Sequence, residues 1–386
     1  MRRMKDQMKV WELPWEGKMV PHAVLDILRG CNISCRSCYN TRPADKPKSL
    51  QQISEELDAL LRLRRLSSVS ILGGEVTLHP RLCAIIRMVR DRGLDMELVS
   101  NGLDVDRSLL KELTDAGLNI IYFHIERGQR RPDLPSDPSF EDINRLRREK
   151  AETAAEFGLD VGLSLTLYPG ETEDLWHTLS CLLQSPQINY LLVTLFRDVT
   201  SIEALHGDLQ NGISGEGGPP RPETRQEIRT PAAWMQDQFG LKPFAFVGSN
   251  LDRNDARWLS YLVGVVHKND GGYSCLSMRP GVLERLSMLY YRFIKRCYPM
   301  YMEQNSDQFR KHLFLNGLLN GRLRQHSEVL NQAKQNSAEL RAKRILLQNP
   351  AELTEDGSLL HCRCCPDAVI KNERLVPVCV ADKIVP

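Results

Sequence analysis

The sequence predicts an α/β protein: an open (βα)6 partial TIM barrel with a mainly helical C-terminal extension and a small Cys-rich metal knuckle. Three observations carry that reading. From about residue 22 to 198, short β-rich runs alternate with amphipathic helical stretches, the rhythm of parallel strands joined by crossover helices. From Gly207 to Pro231 the composition shifts to Gly, Pro, Glu and Arg, with Gly-Gly-Pro-Pro at 217–220, which marks a linker or flexible loop. The eleven cysteines fall into one group at 31–38, a second at 362–379, and four scattered positions. Residues 1–21 are accordingly an N-terminal extension, 22–205 the barrel, 206–232 the linker, 233–355 the helical extension and 356–386 the Cys-rich segment.

Six strands are expected at Ala23 to Leu28, Ser68 to Leu72, Met96 to Val99, Asn119 to Ile125, Asp160 to Leu167 and Asn189 to Phe196. Between them, Ser49 and Gln52 make a capping box ahead of the apolar positions Ile53, Leu57, Leu60 and Leu61. Leu82, Ile85, Ile86 and Val89 form a helical stripe stopped by Gly93. Leu109, Leu110, Leu113 and Ala116 repeat it before Gly117, and Ser139 with Asp142 caps the helix that ends before Gly158. Helices are expected at Val282 to Tyr298 and Gln308 to Leu347, then a hairpin from Ala368 to Val380 turning at Asn372 and Glu373. Six right-handed βα units curl so that ligands meet the carboxyl ends of the strands, and polar residues at those ends become candidates.

Composition narrows the function classes. Hydrophobic residues are 42% and charged residues 26%, ordinary for a globular chain of 386 residues with two or three domains. A net charge of +2 is too balanced for a nucleic-acid footprint, so no nucleic-acid partner is expected. Met1 to Pro14 builds no apolar signal stretch and no run approaches the length of a membrane span, so the chain reads as cytoplasmic, without a transmembrane segment. In that compartment cysteines are metal ligands or buried hydrophobes sooner than disulfides. Cys83 and Cys181 lie on apolar helical stripes and read as core.

Cys31, Cys35 and Cys38 follow directly after the first strand, at the barrel rim. Three thiolates spaced x3 and x2 on one loop reach three corners of an iron–sulfur cube and leave the fourth iron without a protein ligand. A structural zinc site wants a fourth ligand that this loop lacks.

The C-x3-C-x2-C loop, followed by the aromatic Tyr39, resembles the radical S-adenosylmethionine superfamily, over residues 22 to about 198. Gly73-Gly74-Glu75 ends strand two within "GGEVTLHP", where that superfamily holds the methionine amino group of its cosubstrate; Val76 replaces the commoner Pro. Ser100-Asn101-Gly102 ends strand three, where ribose contacts are frequent. The resemblance implies a 4Fe-4S cluster, S-adenosylmethionine, and a one-electron donor such as flavodoxin or ferredoxin. The reaction it implies is reductive cleavage of the cosubstrate, followed by functionalisation of an unactivated carbon through C–C bond formation or methylation.

On strand four Tyr122, His124 and Glu126 share one face, which the alternation points into the barrel, so His124 and Glu126 are candidates to contact cosubstrate or orient substrate. Ser164 and Thr166 on strand five are weaker candidates, and Arg197 at the end of strand six is placed to meet a carboxylate.

In the second group Cys362 and Cys365 have C-x2-C spacing and Cys379 lies across a hairpin, the pattern of a metal knuckle. Zinc and an auxiliary iron–sulfur cluster both suit it. "CRCCPDAVIKNERLVPVC" with "FHIERGQRRPD" resembles radical enzymes related to tetraether lipid synthase and to pterin methyltransferase-like proteins. That resemblance implies Cys362, Cys365 and Cys379 as ligands and leaves the fourth open: Cys297 and Cys275 are candidates, and a nonprotein or absent fourth ligand would leave an open iron for a small-molecule, lipid or peptide substrate. The rival readings are a peptide maturase using an auxiliary cluster and, from another class, a zinc-knuckle nucleic-acid binder.

Overall fold

Local signals place the helices. Ser49 accepts a hydrogen bond from the Gln52 backbone while the Gln52 side chain accepts from Ser49, and Ser139 with Asp142 repeats the reciprocal cap, so both helices start where the sequence demands. The computed structural model describes residues 10–36, 38, 40, 46–197, 227–268, 271–301, 306–335, 339–354 and 358–381. Tyr39, and residues 206–226 of the expected linker, lie outside these.

Six strands form the barrel wall: β1 (His22–Asp26), β2 (Ser68–Leu72), β3 (Asp95–Ser100), β4 (Ile120–His124), β5 (Asp160–Leu167) and β6 (Ile188–Leu195), each parallel to the next. Helices α1 (Leu50–Leu63), α2 (Leu82–Arg90), α3 (Arg107–Asp115), α4 (Phe140–Glu156) and α5 (Thr172–Gln184) fill the connections. Alternation along each strand divides its two faces. Ile121 and Phe123 of β4 join the core between sheet and helices, while Ile120 and Tyr122 pack with Tyr190 of β6 inside the barrel.

The extension holds helices α6 (Arg229–Phe239), α7 (Val282–Tyr290), α8 (Ser306–Leu319) and α9 (Leu323–Gln335), and it also adds strands to the sheet. These are β7 (Ala245–Gly248), β8 (Ala256–His267), β9 (Tyr273–Ser277) and β10 (Leu340–Gln348). β10 lies parallel to β6 and antiparallel to β8, which pairs antiparallel with β7 and β9.

Two expectations are corrected here. The linker read as far as 232 ends earlier, since α6 begins at Arg229. The helix read from Gln308 to Leu347 is α8, α9 and then a strand. In β10 the cations Arg341, Lys343 and Arg344 mimic a solvated helix face, yet Lys343 is fully buried and its Nζ donates to the carbonyls of Ser185 (2.6 Å) and Ile188 (2.7 Å). Burial pulls that ammonium down to about 7. Pairing on both edges outweighs local helix preference.

The C-terminal hairpin, β11 (Ala368–Lys371) and β12 (Arg374–Pro377), turns at Asn372 and Glu373, both at positive φ (45° and 62°). Val369, Val376 and Val380 pack on Val24 of β1, the terminal strand of the sheet, so the hairpin lies over the barrel's open side. Among the described residues no helix is long and apolar enough to cross a membrane.

Candidate active site

The loop after β1 is held from two directions. Ser34–Cys35 pairs antiparallel with Gln129–Arg130, and the Arg36 N–H donates to Gly128 O at 2.7 Å, so the segment following β4 fixes Cys35. On the other side Gly74 N–H donates to Leu28 O (2.7 Å) and Glu75 N–H to Gly30 O (2.8 Å). The second approach explains the glycines. A Cβ on Gly74 would lie 2.0 Å from Gly30 O, and one on Gly73 would lie 2.1 Å from Leu28 O. The missing side chains let the β2 end reach the cysteine loop.

Glu75 is buried and its carboxylate is heavily engaged. Oε1 accepts from Thr77 N (3.1 Å), Thr77 Oγ1 (2.7 Å) and Ser100 Oγ (2.7 Å), and Oε2 accepts from Asn101 N (2.7 Å). This one side chain therefore ties the ends of β2 and β3, leaving Oε2 room for one further donor. Asn101 Nδ2 in turn donates to Asn32 Oδ1 (2.7 Å) and lies 3.8 Å from Cys31 Sγ.

Cys31, Cys35 and Cys38 all line one cavity of about 270 Å³ inside the barrel. Burial, followed by the charges of Glu126, Cys38 and Cys31, pushes the Cys35 thiol up to about 12, which shows how closely these groups crowd. Among the described residues no three Cys, His, Asp or Glu side chains close around a single ion. Three soft thiols on one loop at a cavity wall are a donor set for a 4Fe-4S cluster with one iron left open, and the site fits that group.

The remaining candidates line the same cavity or its rim. His124 Nδ1 is 3.2 Å from Ser164 Oγ and its Nε2 is 3.6 Å from Glu126 Oε1. Glu126 is buried, and its Oε2 accepts from Thr166 N at 2.9 Å, so it braces β5 beside Cys35. His124, Ser164 and Arg197 face the cavity, and the Arg197 Nη1 is buried with no hydrogen-bond partner among the described residues.

Sequence reasoning missed a buried polar cluster on the cavity floor. Glu97 of β3 accepts from Ser70 Oγ and from the Tyr301 hydroxyl, and His22 bridges Ser70 Oγ (2.6 Å) and Ser68 Oγ (2.7 Å). Burial raises the Glu97 carboxyl to about 7 despite both hydroxyl donors; burial, then Arg64 and Arg344, lowers His22 to about 3. A lone acid between Met96 and Leu98 in a strand was the available signal for Glu97; Tyr301 arrives from the extension.

The second cysteine group is pinned to the barrel. Arg64, buried at the end of α1, donates to His22 O (2.6 Å), Pro366 O (3.2 Å) and Cys365 O (2.7 Å), joining β1 to the knuckle. Arg363 N–H donates to Gly248 O (2.9 Å) and Gln348 Nε2 to Asp367 Oδ2 (2.5 Å). Hydrogen bonding with Cys362 and burial, then the charges of Cys362, Asp367 and Cys379, raise the Cys365 thiol. Cys379 and Asp367 line the same cavity as the first group, and the Arg197 charge acts on Cys379 against the rise caused by its burial. The two proposed fourth ligands lie elsewhere: Cys297 donates to Arg65 O (3.1 Å), and Cys275 of β9 pairs opposite Val265. Cys181 is buried and Cys83 half-buried in the helix-side core, as their apolar stripes required.

Comparison with known proteins places residues 25–182 in a match to the sequence profile of the Radical SAM superfamily. The tungsten-containing aldehyde ferredoxin oxidoreductase cofactor-modifying protein of Pyrococcus furiosus is 29% identical over 107 residues, 26% of this chain and 30% of that protein. A probable GTP 3′,8-cyclase of Pyrococcus abyssi is 26% identical over 113 residues, 28% of this chain and 36% of the cyclase. The chain thus matches about a third of the length of these relatives. Among solved structures, Streptococcus suis SuiB bound to its precursor peptide SuiA is 14% identical with a TM-score of 0.42, covering 57% of this chain and 46% of SuiB. Residues 25–182, which include the three thiols on the loop after the first barrel strand, thus match the Radical SAM superfamily.

Proposed function

We propose that this chain is a radical S-adenosylmethionine enzyme that functionalises an unactivated carbon of a substrate held in the cavity between its two cysteine groups. The single observation that supports this most is that Cys31, Cys35 and Cys38 share one cavity wall system with Cys379, Asp367 and Arg197. When bound, the cluster and S-adenosylmethionine supply one electron, a broken C–S bond and a carbon radical that takes hydrogen from the substrate.

The chain's own residues position and shield. In this reading Cys31, Cys35 and Cys38 hold the cluster, and Oε2 of Glu75 offers an acceptor to the cosubstrate ammonium. Ser100 and Asn101, ordered by Glu75, meet its ribose. The apolar lining of Val99, Tyr122 and Leu192 excludes water from the reacting carbon. Arg197, with a buried unpaired N–H, receives an anionic group of the substrate. His124 and Glu126 orient rather than transfer, since each already has a partner.

Cys362, Cys365 and Cys379 hold an auxiliary iron–sulfur centre on the opposite side of the substrate. The chemistry is C–C bond formation or methylation, as the likeness of the knuckle to tetraether lipid synthase-related enzymes suggests. The test is anaerobic iron reconstitution, reduction, and incubation with S-adenosylmethionine. 5′-Deoxyadenosine and methionine are the expected products; an iron-loaded, reduced protein that leaves the cosubstrate intact would refute the assignment.

A further inference from the structure

Large apolar side chains are exposed chiefly in one place. On α7 and the π-helical turn that continues it (Tyr291–Lys295), Leu286, Leu289, Phe293 and Ile294 are 57%, 50%, 65% and 69% exposed. Their spacing of three, seven and eight residues from Leu286 puts them on one face. On α8, Phe314, Leu315, Leu318 and Leu319 are likewise exposed, while Phe309 and Leu313 of the same helix are buried.

The two faces are held in register. Buried Glu284 of α7 accepts from Asn316 Nδ2 of α8 at 2.6 Å, and His312 Nε2 lies 3.0 Å from the same Oε1. A buried polar clamp of this kind fixes the helix pair with both apolar faces outward, so the exposure belongs to the packed state and not to fraying.

Charge identifies the occupant. Residues 279–324 hold nine Lys or Arg against three Asp or Glu, more than the whole chain's net charge of +2, so the rest of the chain is net acidic. Arg285, Arg292 and Lys295 are exposed beside the apolar positions of α7, and Lys311 precedes those of α8 by one turn. An exposed face of Leu, Phe and Ile bordered by cations is the composition of a helix that lies in a lipid headgroup plane.

We propose that the paired outer faces of α7 and α8 dock this enzyme on an anionic lipid surface. The segment carrying α7 runs on into Met300 and Tyr301, which line the cavity, so the docking face and the cavity wall belong to one stretch of chain. The face lies on the surface and does not span it, consistent with the absence of a membrane-crossing helix among the described residues.

The experiment is cosedimentation of the full chain with vesicles of phosphatidylcholine alone and of phosphatidylcholine mixed with phosphatidylglycerol. Binding is expected to the mixed vesicles and to fall with added salt. Leu286→Ser with Phe293→Ser and Ile294→Ser should abolish it without lowering the melting temperature, since these side chains are already in water. Each of Arg285→Gln, Arg292→Gln and Lys295→Gln should weaken it roughly fivefold. Equal binding to both vesicle types, or none, overturns the proposal. So does a concentration-dependent dimer dissolved by the same triple Ser variant, which would assign the face to a second copy of this chain.

Discussion

Gly74→Ala tests the reasoning about how the site is built. The added Cβ would lie 2.0 Å from Gly30 O and 2.6 Å from Arg29 O, both backbone atoms that no rotamer change can move aside. The end of β2 must therefore retreat from the cysteine loop. Retreat breaks Gly74 N–H to Leu28 O and Glu75 N–H to Gly30 O, two backbone hydrogen bonds worth about 0.5–1.5 kcal/mol each. At roughly 2–4 °C per kcal/mol, the melting temperature should fall by about 2–12 °C. Because Cys31 is the next residue after Gly30, iron bound after anaerobic reconstitution should fall as well. Gly93→Ala is the control: its φ of 73° imposes a left-handed strain of about 1–2 kcal/mol, but nothing lies within 4 Å of the new methyl and the cysteine loop is untouched. If Gly74→Ala melts with the parent and binds full iron, the close approach does not shape the site.

Ala replacement of any one of Cys31, Cys35 and Cys38 should remove the redox-active iron and end reductive cleavage, measured by 5′-deoxyadenosine release; cleavage at the parental rate refutes the assignment. Glu75→Gln sets an amide donor against the N–H groups that the carboxylate now accepts, which should cost about 1–3 kcal/mol in thermal unfolding and weaken cosubstrate binding in calorimetry. Unchanged values in both would move the role elsewhere. Glu97 should make stability fall as pH rises. Its folded pKa of about 7 lies above the ordinary 4.5, so the folded state holds the extra proton and stability declines between those values by on the order of 3 kcal/mol. In Glu97→Gln that decline should vanish from denaturant titrations run across the window; an unaltered pH profile contradicts it.

Much of the barrel was legible because its signals are local. Capping boxes at Ser49 and Ser139, period-two strands and glycine stops all act within a few residues of one another. The cysteine spacing and the Gly73-Gly74-Glu75 segment were visible for the same reason. What could not be read depends on contacts across the chain. β10 is a strand because β6 and β8 flank it, and Lys343 is tolerated there because two distant carbonyls accept its hydrogen bonds. The engagement of Glu75 by Thr77, Ser100 and Asn101, and of Glu97 by Tyr301, likewise needs the ends of different elements brought together. Arg64 carries no local signal in the sequence, although it fastens the knuckle to β1.

The central claim is that two separate thiol sets hold two iron–sulfur centres facing one cavity, and that only the first meets S-adenosylmethionine. Electron paramagnetic resonance of the reduced protein, with and without the cosubstrate, tests it most directly. The parent should show two signals, of which only one shifts on adding S-adenosylmethionine; the Cys362→Ala, Cys365→Ala, Cys379→Ala triple variant should keep the shifting signal alone. A single signal in the parent, or a shift that disappears in that variant while the protein remains folded, would contradict the division between the two sites.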